Sequence, residues 1–149
     1  MATEMDLHDP TTRAQEFASA VPEGCAIATM GITPILADGG LARARMVVTE
    51  KHLNQVGVVQ GGVYALFADA TAGWAAMSLL PKNKTFVTLE MRVNLLRAVR
   101  PGATLLAEST PIHRGGATLV FGVRVWDEGG TSERLSAYFV CTQMVVDQG

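Results

Sequence analysis

Charge is scarce in this chain. Of its 149 residues only 17% are Asp, Glu, Lys or Arg, and the formal net charge at pH 7 is -2 with a pI near 5.9. A global positive field that would attract nucleic acid or an anionic membrane is therefore excluded. An anionic ligand would have to be held by a few local Arg or Lys side chains. We accordingly expect neither nucleic acid nor a membrane among the partners.

Cysteine and histidine are also few. The two cysteines, Cys25 and Cys141, are far apart and form no C-x-x-C pair, which fits a reducing compartment. The three histidines, His8, His52 and His113, lack the spacing of metal ligands. We expect neither a metal nor a cofactor.

The chain shows no targeting signal and no membrane span. Residues 1–6 lack the basic and apolar regions of a signal peptide. The apolar run at residues 53–81 is long enough to span a membrane, but glycines and polar residues interrupt it and no basic flank sets an orientation. A buried core helix explains this run better, and we expect a cytoplasmic protein.

Asp69 is the only charged residue between Lys51 and Lys82, and it lies within a helix-like apolar run. Burying a carboxylate without partners costs several kcal/mol or forces it to take up a proton. Asp is also a poor residue for the interior of a helix. Two interpretations remain open: an acid with a chemical role, or an Asp bonded to a nearby Thr or backbone group at a subunit contact.

Two helices are predicted. Residues 10–20 read as a short helix capped by Thr11 or Thr12. Residues 61–77 form a long helix that is apolar nearly all round, so a sheet on one side and a second subunit on the other should cover it.

Strands are predicted on both sides of the long helix. Residues 26–36, the turn Asp38-Gly39-Gly40 and residues 41–48 indicate a hairpin. Four further strands, read as a meander, follow the helix at residues 85–96, 103–113, 118–126 and 132–145. The predicted fold is α+β, with one helix wrapped by a curved antiparallel sheet.

The segment that enters the long helix is a candidate binding site. Gly61 and Gly62 would let a ligand approach the backbone, and the first N–H groups of a helix are free to bind an oxyanion or a polarised carbonyl. A tight turn that needs glycine for steric reasons is the alternative.

Asp69 lies eight residues after Gly61, about 12 Å along the same helix. Two antiparallel helices about a two-fold axis would bring Asp69 of one chain near Gly61 of the other, so a dimer is predicted.

The residues of this segment resemble the hotdog-fold thioesterases, in the PaaI-type and 4-hydroxybenzoyl-CoA thioesterase group. That family's pattern is N-x-x-G-x-x-H-G-G with an acid seven residues after the second glycine, and Asn54, Gly57, Gly61, Gly62 and Asp69 stand in register with it. The segment at residues 94–102, with an Arg before a Pro-Gly turn, is also similar. The resemblance covers roughly residues 25–145 and implies one hotdog domain over residues 1–149, with residues 1–24 as a helical extension. It also implies a dimer with a continuous sheet, or a tetramer.

The resemblance implies a set of catalytic roles. The Gly61 N–H would polarise a thioester carbonyl with Asn54 as second donor, and Asp69 of the partner chain would act as nucleophile or general base. Thr88 matches a hydroxyl that orients water or the acid, although an ordinary strand residue would look the same. Gln60 replaces the family's usual His; Gln60 can bond to the substrate or brace the loop, but it cannot transfer a proton.

Acyl-CoA is the substrate that the resemblance implies, with CoA as part of substrate and product. Gln60 and Gly62 would contact the substrate, while Arg97, Arg114 and Gly116 would hold the CoA phosphates; a solvated Arg beside a Gly-Gly hairpin is the alternative for the last two. The predicted activity is hydrolysis of an aromatic or medium-chain acyl-CoA. A non-catalytic acyl-CoA-binding module is the alternative from another class, and a hotdog dehydratase is disfavoured because no suitable His lies near the helix.

Overall fold

A computed structural model describes residues 9–149 of the chain, so the expectation that residues 1–6 form no signal peptide lies outside the described residues. The first helix, α1, spans Pro10–Ala20 as predicted. Its cap is neither Thr11 nor Thr12: the Asp9 side chain accepts from the backbone N–H of both, at 2.7 and 3.4 Å. The proline explains the difference, because Pro10 favours the first helical position and so places the cap one residue earlier.

The segment at residues 26–36, predicted as one strand, is divided. Ala26–Thr29 forms a short helix, α2, and the first strand, β1, begins only at Thr33 and runs to Asp38. The Met30 N–H donates to the Ala26 carbonyl and closes the helical turn. Gly31 then ends it with a φ of 67°, the left-handed conformation that commonly terminates helices.

The predicted hairpin is present. Strand β1 pairs with β2, Leu41–Val47, and the turn between them uses Gly39 and Gly40 with φ of 51° and 93°. A 3-10 turn at Glu50–His52 follows, and then the long helix α3, Gly61–Leu79.

The remaining strands are β3, Lys84–Leu95; β4, Thr104–Arg114; β5, Thr118–Asp127; and β6, Leu135–Asp147. They complete a six-stranded antiparallel sheet in the order β1-β2-β4-β5-β6-β3. The prediction of a four-strand meander is wrong, because β3 pairs with β6 rather than with β4. Residues 96–103 carry the chain from that edge to the middle of the sheet, anchored by the buried Val99, whose carbonyl accepts from the Val59 N–H at 2.9 Å.

Helix α3 lies on one face of this sheet. It contacts all six strands, and most of its side chains are buried. Inward-facing side chains of the strands complete the core, among them Met46, Leu105, Phe121, Val125 and Phe139. The predicted α+β architecture of one long helix wrapped by an antiparallel sheet is confirmed. Over residues 9–149, no helix is both long and apolar enough to cross a membrane.

Strand β3 forms one edge of the sheet and exposes a row of large apolar side chains. A bulge between Thr88 and Glu90 inserts Leu89, which is 57% exposed. The other exposed members on or next to the strand are Val87, Met91, Leu95 and Leu96. This row is called the β3 apolar edge below. Exposed edge strands with apolar side chains mark places where another chain can pair.

Candidate active site

The loop before α3 is held in one conformation by its own hydrogen bonds. The Asn54 side-chain oxygen accepts from the backbone N–H groups of Val56 and Val58, at 3.0 and 3.3 Å. Gly57, with a φ of 83°, supplies the left-handed turn between them. Because the oxygen of the Asn54 amide accepts both bonds, its NH₂ group takes no part in them and can serve as a donor to a ligand.

Gly61 begins α3 directly after this loop. A Cβ at Gly61 would lie 2.8 Å from Leu95 Cδ1, the flexible end of a side chain, so β3 approaches this glycine closely. Its φ is not positive, so no left-handed turn requires glycine here, and the close approach of Leu95 is the steric reason that remains. The first N–H groups of an α-helix have no partner within the helix and carry the positive end of its dipole. The helix start can therefore bind a carbonyl oxygen or an oxyanion.

Gln60 and Gly62 flank this glycine and are both exposed. The Gln60 N–H donates to the His52 carbonyl at 2.9 Å, and its side chain makes no capping bond to the described helix. A Cβ at Gly62 would meet nothing within 4 Å, so no steric constraint requires glycine there. Both side-chain positions are open to a ligand above the helix start.

A pocket of about 310 Å³ opens at the helix start. Asn54 and Gly61 lie in its wall together with Tyr64 and Arg97, and apolar groups complete it: Val58, Val59, Leu95, Leu96 and Ala98. Tyr64 is 2% exposed; burial, with the negative charge of Asp127, raises the pKa of Tyr64 to about 12. The pocket, which we call the helix-start pocket, combines carbonyl-binding donors with an apolar wall. This composition suits a small acyl ester.

Asp69 lies in the middle of α3, on the side that faces β3. The Thr88 hydroxyl lies 3.2 Å from Asp69 Oδ1 and donates to it. Asp69 is half-buried, and burial raises its pKa from the ordinary value of 3.8, while the bond from Thr88 lowers it in part. The predicted Asp and Thr are therefore brought together. A half-buried carboxylate with a single hydroxyl donor can act as a base or a nucleophile.

The sheet under Asp69 contributes two buried side chains from β6. Cys141 faces the helix, and its thiol pKa is raised to about 12 by burial and by the negative charge of Asp69. Gln143 faces the same way, two residues further along β6, and pairs in register with Thr88. Sequence reasoning missed Gln143, and the alternation of β6 would have indicated only that the residue points inward.

Asp69 and Gly61 are not brought together within one chain. Both belong to α3, eight residues apart, or about 12 Å along the helix. One thioester carbonyl could not contact both groups in the same copy. The two halves of the candidate site therefore remain separate in a single chain.

The predicted phosphate-binding residues also lie apart. Arg97 is at the helix-start pocket, whereas Arg114 ends β4, where its guanidinium donates to the Gly39 carbonyl at 2.7 Å. A Cβ at Gly40 would touch both Arg114 and Leu79, the last residue of α3, so Arg114 lies at the opposite end of the helix from Gly61. Gly116 follows in the exposed β4–β5 turn.

A second pocket of about 340 Å³, missed by sequence reasoning, shares a wall with the first. Arg97 and Ala98 belong to both, and here Arg97 is joined by Arg134 and the turn Gly129-Gly130. The sequence held a usable signal, because a Gly-Gly turn near an Arg is the pattern that singled out residues 114–116. Only the fold shows which of the two turns is next to Arg97.

The histidine nearest the helix start has both ring nitrogens engaged in hydrogen bonds. His52 is 1% exposed, its Nε2 lies 2.8 Å from the Met30 carbonyl oxygen, and its Nδ1 accepts from the Thr49 N–H at 2.9 Å. Both ring nitrogens are therefore used to brace the loop. His52 is not available as a proton-transfer base, which agrees with the expectation that no suitable His for a dehydratase lies near the helix.

Comparison with known proteins gives a consistent result. Residues 56–133 match the family model described as the thioesterase superfamily. A Bacillus subtilis protein named as an esterase, ComA2, is 31% identical over 104 residues, which is 69% of this chain and 79% of that protein. The 1,4-dihydroxy-2-naphthoyl-CoA hydrolase of Listeria monocytogenes is 29% identical over 114 residues, or 76% of this chain and 89% of the enzyme.

Solved structures have the same architecture. The crystal structure of a thioesterase from Haemophilus influenzae superposes with a TM-score of 0.82 at 25% identity, covering 90% of each chain. The PaaI protein of the Escherichia coli phenylacetic acid degradation operon superposes with a TM-score of 0.78 at 25% identity, covering 92% of this chain and 96% of that protein. The predicted hotdog fold is confirmed.

Proposed function

Because this chain belongs to the thioesterase superfamily and is a thioester hydrolase, we propose that it hydrolyses an aromatic or medium-chain acyl-CoA to the free acid and CoA. The Listeria monocytogenes relative is named for an aromatic acyl-CoA, and PaaI belongs to a phenylacetic acid operon. The helix-start pocket, with a volume of about 310 Å³ and a largely apolar wall, supports a compact acyl group.

The observation that carries the proposal is the half-buried Asp69 carboxylate within the apolar helix α3, which the Thr88 hydroxyl holds on the side toward the sheet edge. A protein that only binds acyl-CoA has no need for a half-buried acid in an apolar helix, where burial raises the pKa of that acid. A hydrolase needs such a group, held at a fixed position by a donor. Asp69 with Thr88 meets this need.

In the proposed reaction the thioester carbonyl oxygen accepts hydrogen bonds from the Gly61 N–H and the Asn54 NH₂ group. Asp69 of a second copy takes a proton from water, whose oxygen adds to the carbonyl carbon, or adds there itself as a nucleophile. The C–S bond then breaks and the CoA sulfur leaves as a thiolate that takes up a proton. If Asp69 is the nucleophile, water hydrolyses the resulting anhydride. No cofactor enters these steps.

The second copy is supported by the β3 apolar edge. Two such edges paired antiparallel would extend the sheet across both copies and bury the exposed row around Leu89. The same two-fold axis would place two α3 helices side by side in opposite directions. Asp69 of one copy would then approach Gly61 of the other, with two sites in each dimer. Pairs of dimers would give a tetramer.

The CoA phosphates would be held next to the helix-start pocket. Arg97 lines both pockets, and Arg134 lines the second one together with Asp127. Arginine side chains are suited to phosphate, whereas the N–H groups of Gly129 and Gly130 already donate to Asp127, at 3.0 and 2.8 Å, and are not available to a ligand. Arg114 and Gly116, at the far end of α3, would reach a substrate only from the second copy.

Two free thiols in the described chain, Cys25 and Cys141, support a cytoplasmic location.

The proposal is tested by thiol release from a panel of aryl- and alkanoyl-CoA esters, with wild type beside Asp69→Asn. We expect kcat to fall at least about a hundredfold on a good substrate, because the base or nucleophile is lost. Asp38→Asn, at the exposed β1–β2 turn, is the matched control and should retain wild-type turnover. If wild type binds the esters and releases no thiol, the chain is a binding module, and the replacement of His by Gln60 becomes the first explanation to examine.

A further inference from the structure

Gln143 is a buried polar side chain without an explanation so far. It is 0% exposed, and neither its Nε2 nor its Oε1 has a hydrogen-bond partner among the described residues. A buried amide with no partner destabilises the fold, because the loss of its bonds to water is not compensated. Groups of this kind in a native fold call for a reason, and a role in a site is one of the recognised reasons.

The position of Gln143 indicates which site. On β6 it is directly opposite Thr88 of β3, and both side chains face α3. The next inward residue of β6 is Cys141, whose thiol is close enough to Asp69 for the carboxylate charge to raise its pKa. Asp69 therefore lies above a patch formed by Thr88 and Met91 on one strand and Gln143 and Cys141 on the next.

The Thr88 hydroxyl has a single hydrogen, which it donates to Asp69, and two lone pairs that can accept. With no donor to those lone pairs the hydroxyl is free to rotate away from the carboxylate. Side chains directly opposite on antiparallel strands have Cβ atoms about 4.5–5.5 Å apart, within reach of a glutamine amide. The Gln143 amide makes no such bond in this structure, so the contact requires a different side-chain conformation of Gln143.

We propose that Gln143 is a positioning residue: its amide donates a hydrogen bond to Thr88 Oγ1 and so fixes the Thr88 hydroxyl as a donor to Asp69 during turnover. This role rests on the proposed function of Asp69. Gln143 does not touch the substrate; it acts through Thr88.

Two other buried groups without partners do not compete for this role. Ser109 is on β4, in register with Ala42 and Val123, so two strands separate it from β3. Tyr64 lines the helix-start pocket, and the charge that acts on its hydroxyl and raises its pKa is that of Asp127 rather than Asp69. Among the buried groups that have no partner in the described part of the chain, only Gln143 adjoins the Asp69–Thr88 pair.

The test is the replacement Gln143→Met, which keeps the length of the side chain and removes its polarity. We expect kcat to fall about fivefold to tenfold, the effect of one hydrogen bond, with KM unchanged within about twofold. The melting temperature should stay the same or rise, because an unpaired buried amide is removed. Ser109→Ala is the matched control: it removes the other unpaired buried polar group of the strands and should leave kcat unchanged.

A double-mutant cycle with Thr88→Val separates positioning from packing. If Gln143 acts through Thr88, then Gln143→Met has no further effect on kcat once Thr88 is Val. Independent, multiplying losses would overturn the inference, as would a fall in melting temperature together with a rise in KM. An unchanged kcat in Gln143→Met beside an inactive Asp69→Asn would overturn only the role of Gln143. Full activity in Asp69→Asn would instead refute the proposed function.

Discussion

Removing one side chain from the β3 apolar edge should separate the two halves of the active site. Leu89 is inserted by the bulge in β3 and is the most exposed large apolar residue within the strand, at 57%. In the proposed dimer this side chain is buried against the second copy. Leu89→Ala removes most of that contact and leaves the backbone of the edge free to pair.

The size of the effect follows from the exposed fraction. Complete burial of a leucine side chain contributes about 1.5–3 kcal/mol. Because Leu89 is 57% exposed in the single chain, its burial in the dimer would contribute slightly more than half of that free energy, about 1–1.5 kcal/mol. A two-fold axis brings two copies of the residue into the interface, so the dimer loses about 2–3 kcal/mol. The dissociation constant should therefore rise roughly 30- to 150-fold.

Sedimentation and thiol release, measured over the same series of protein concentrations, test this prediction. Activity per chain should fall at low concentration in step with dissociation and return to the wild-type value at high concentration, because Asp69 and Gly61 then meet again. Ile112→Ala is the matched control, since Ile112 is 59% exposed but lies on β4, which is not next to β3. A Leu89→Ala protein that dissociates while keeping full activity would refute the shared site.

The remaining predictions concern α3. Burial raises the pKa of Asp69, so its contribution to stability is present below the ordinary carboxyl pKa of 3.8 and is lost as the pH rises through the higher folded-state value. Asp69→Asn does not titrate and should become more stable than wild type toward neutral pH; thermal unfolding across this range checks it, and a stability difference that does not vary with pH would contradict it. Gly61→Ala places a Cβ 2.8 Å from Leu95 Cδ1, the mobile end of a side chain that is 54% exposed, so the fold should tolerate it. The displaced leucine narrows the helix-start pocket, and we expect kcat/KM to fall at least about tenfold in steady-state assays while the melting temperature hardly changes.

The sequence predicted those parts of the fold that depend on local signals. The apolar run from Gly61, the turn at Gly39-Gly40 and the alternating strands are local patterns, and the structure agrees with each. The segment from Ala26 was predicted wrongly, because β-branched composition favours a strand while Gly31 permits a helical turn to close first. The place of β3 beside β6 depends on long-range packing, which no local pattern encodes.

The residues of the candidate site also fall into two groups, those that the sequence indicates and those that only the fold brings together. Asn54, Gly61 and Asp69 could be found because their spacing along the chain matches the family pattern, and Thr88 because that family often has a hydroxyl on the first strand after the helix. Arg134 and Gln143 could not be found in this way. Gln143 is next to Thr88 because β6 pairs with β3, and Arg134 is near Arg97 because the loop before β6 lines the same pocket. Residues distant in sequence become neighbours only through the sheet.

The position of β3 also governs the order in which the molecule can assemble. Its partner within the chain is β6, and Lys84 pairs with Asp147 while Leu95 pairs with Ala137. A ribosome that has completed α3 and β3 must therefore still synthesise β4, β5 and β6 before the strand that carries Thr88 has a neighbour. During that interval an apolar helix and an unpaired edge are exposed together, a combination that favours aggregation and binding by chaperones. Pairing of long sequence separation also slows folding. The edge that would join the two active-site halves in the proposed dimer is thus the last to be protected in the nascent chain.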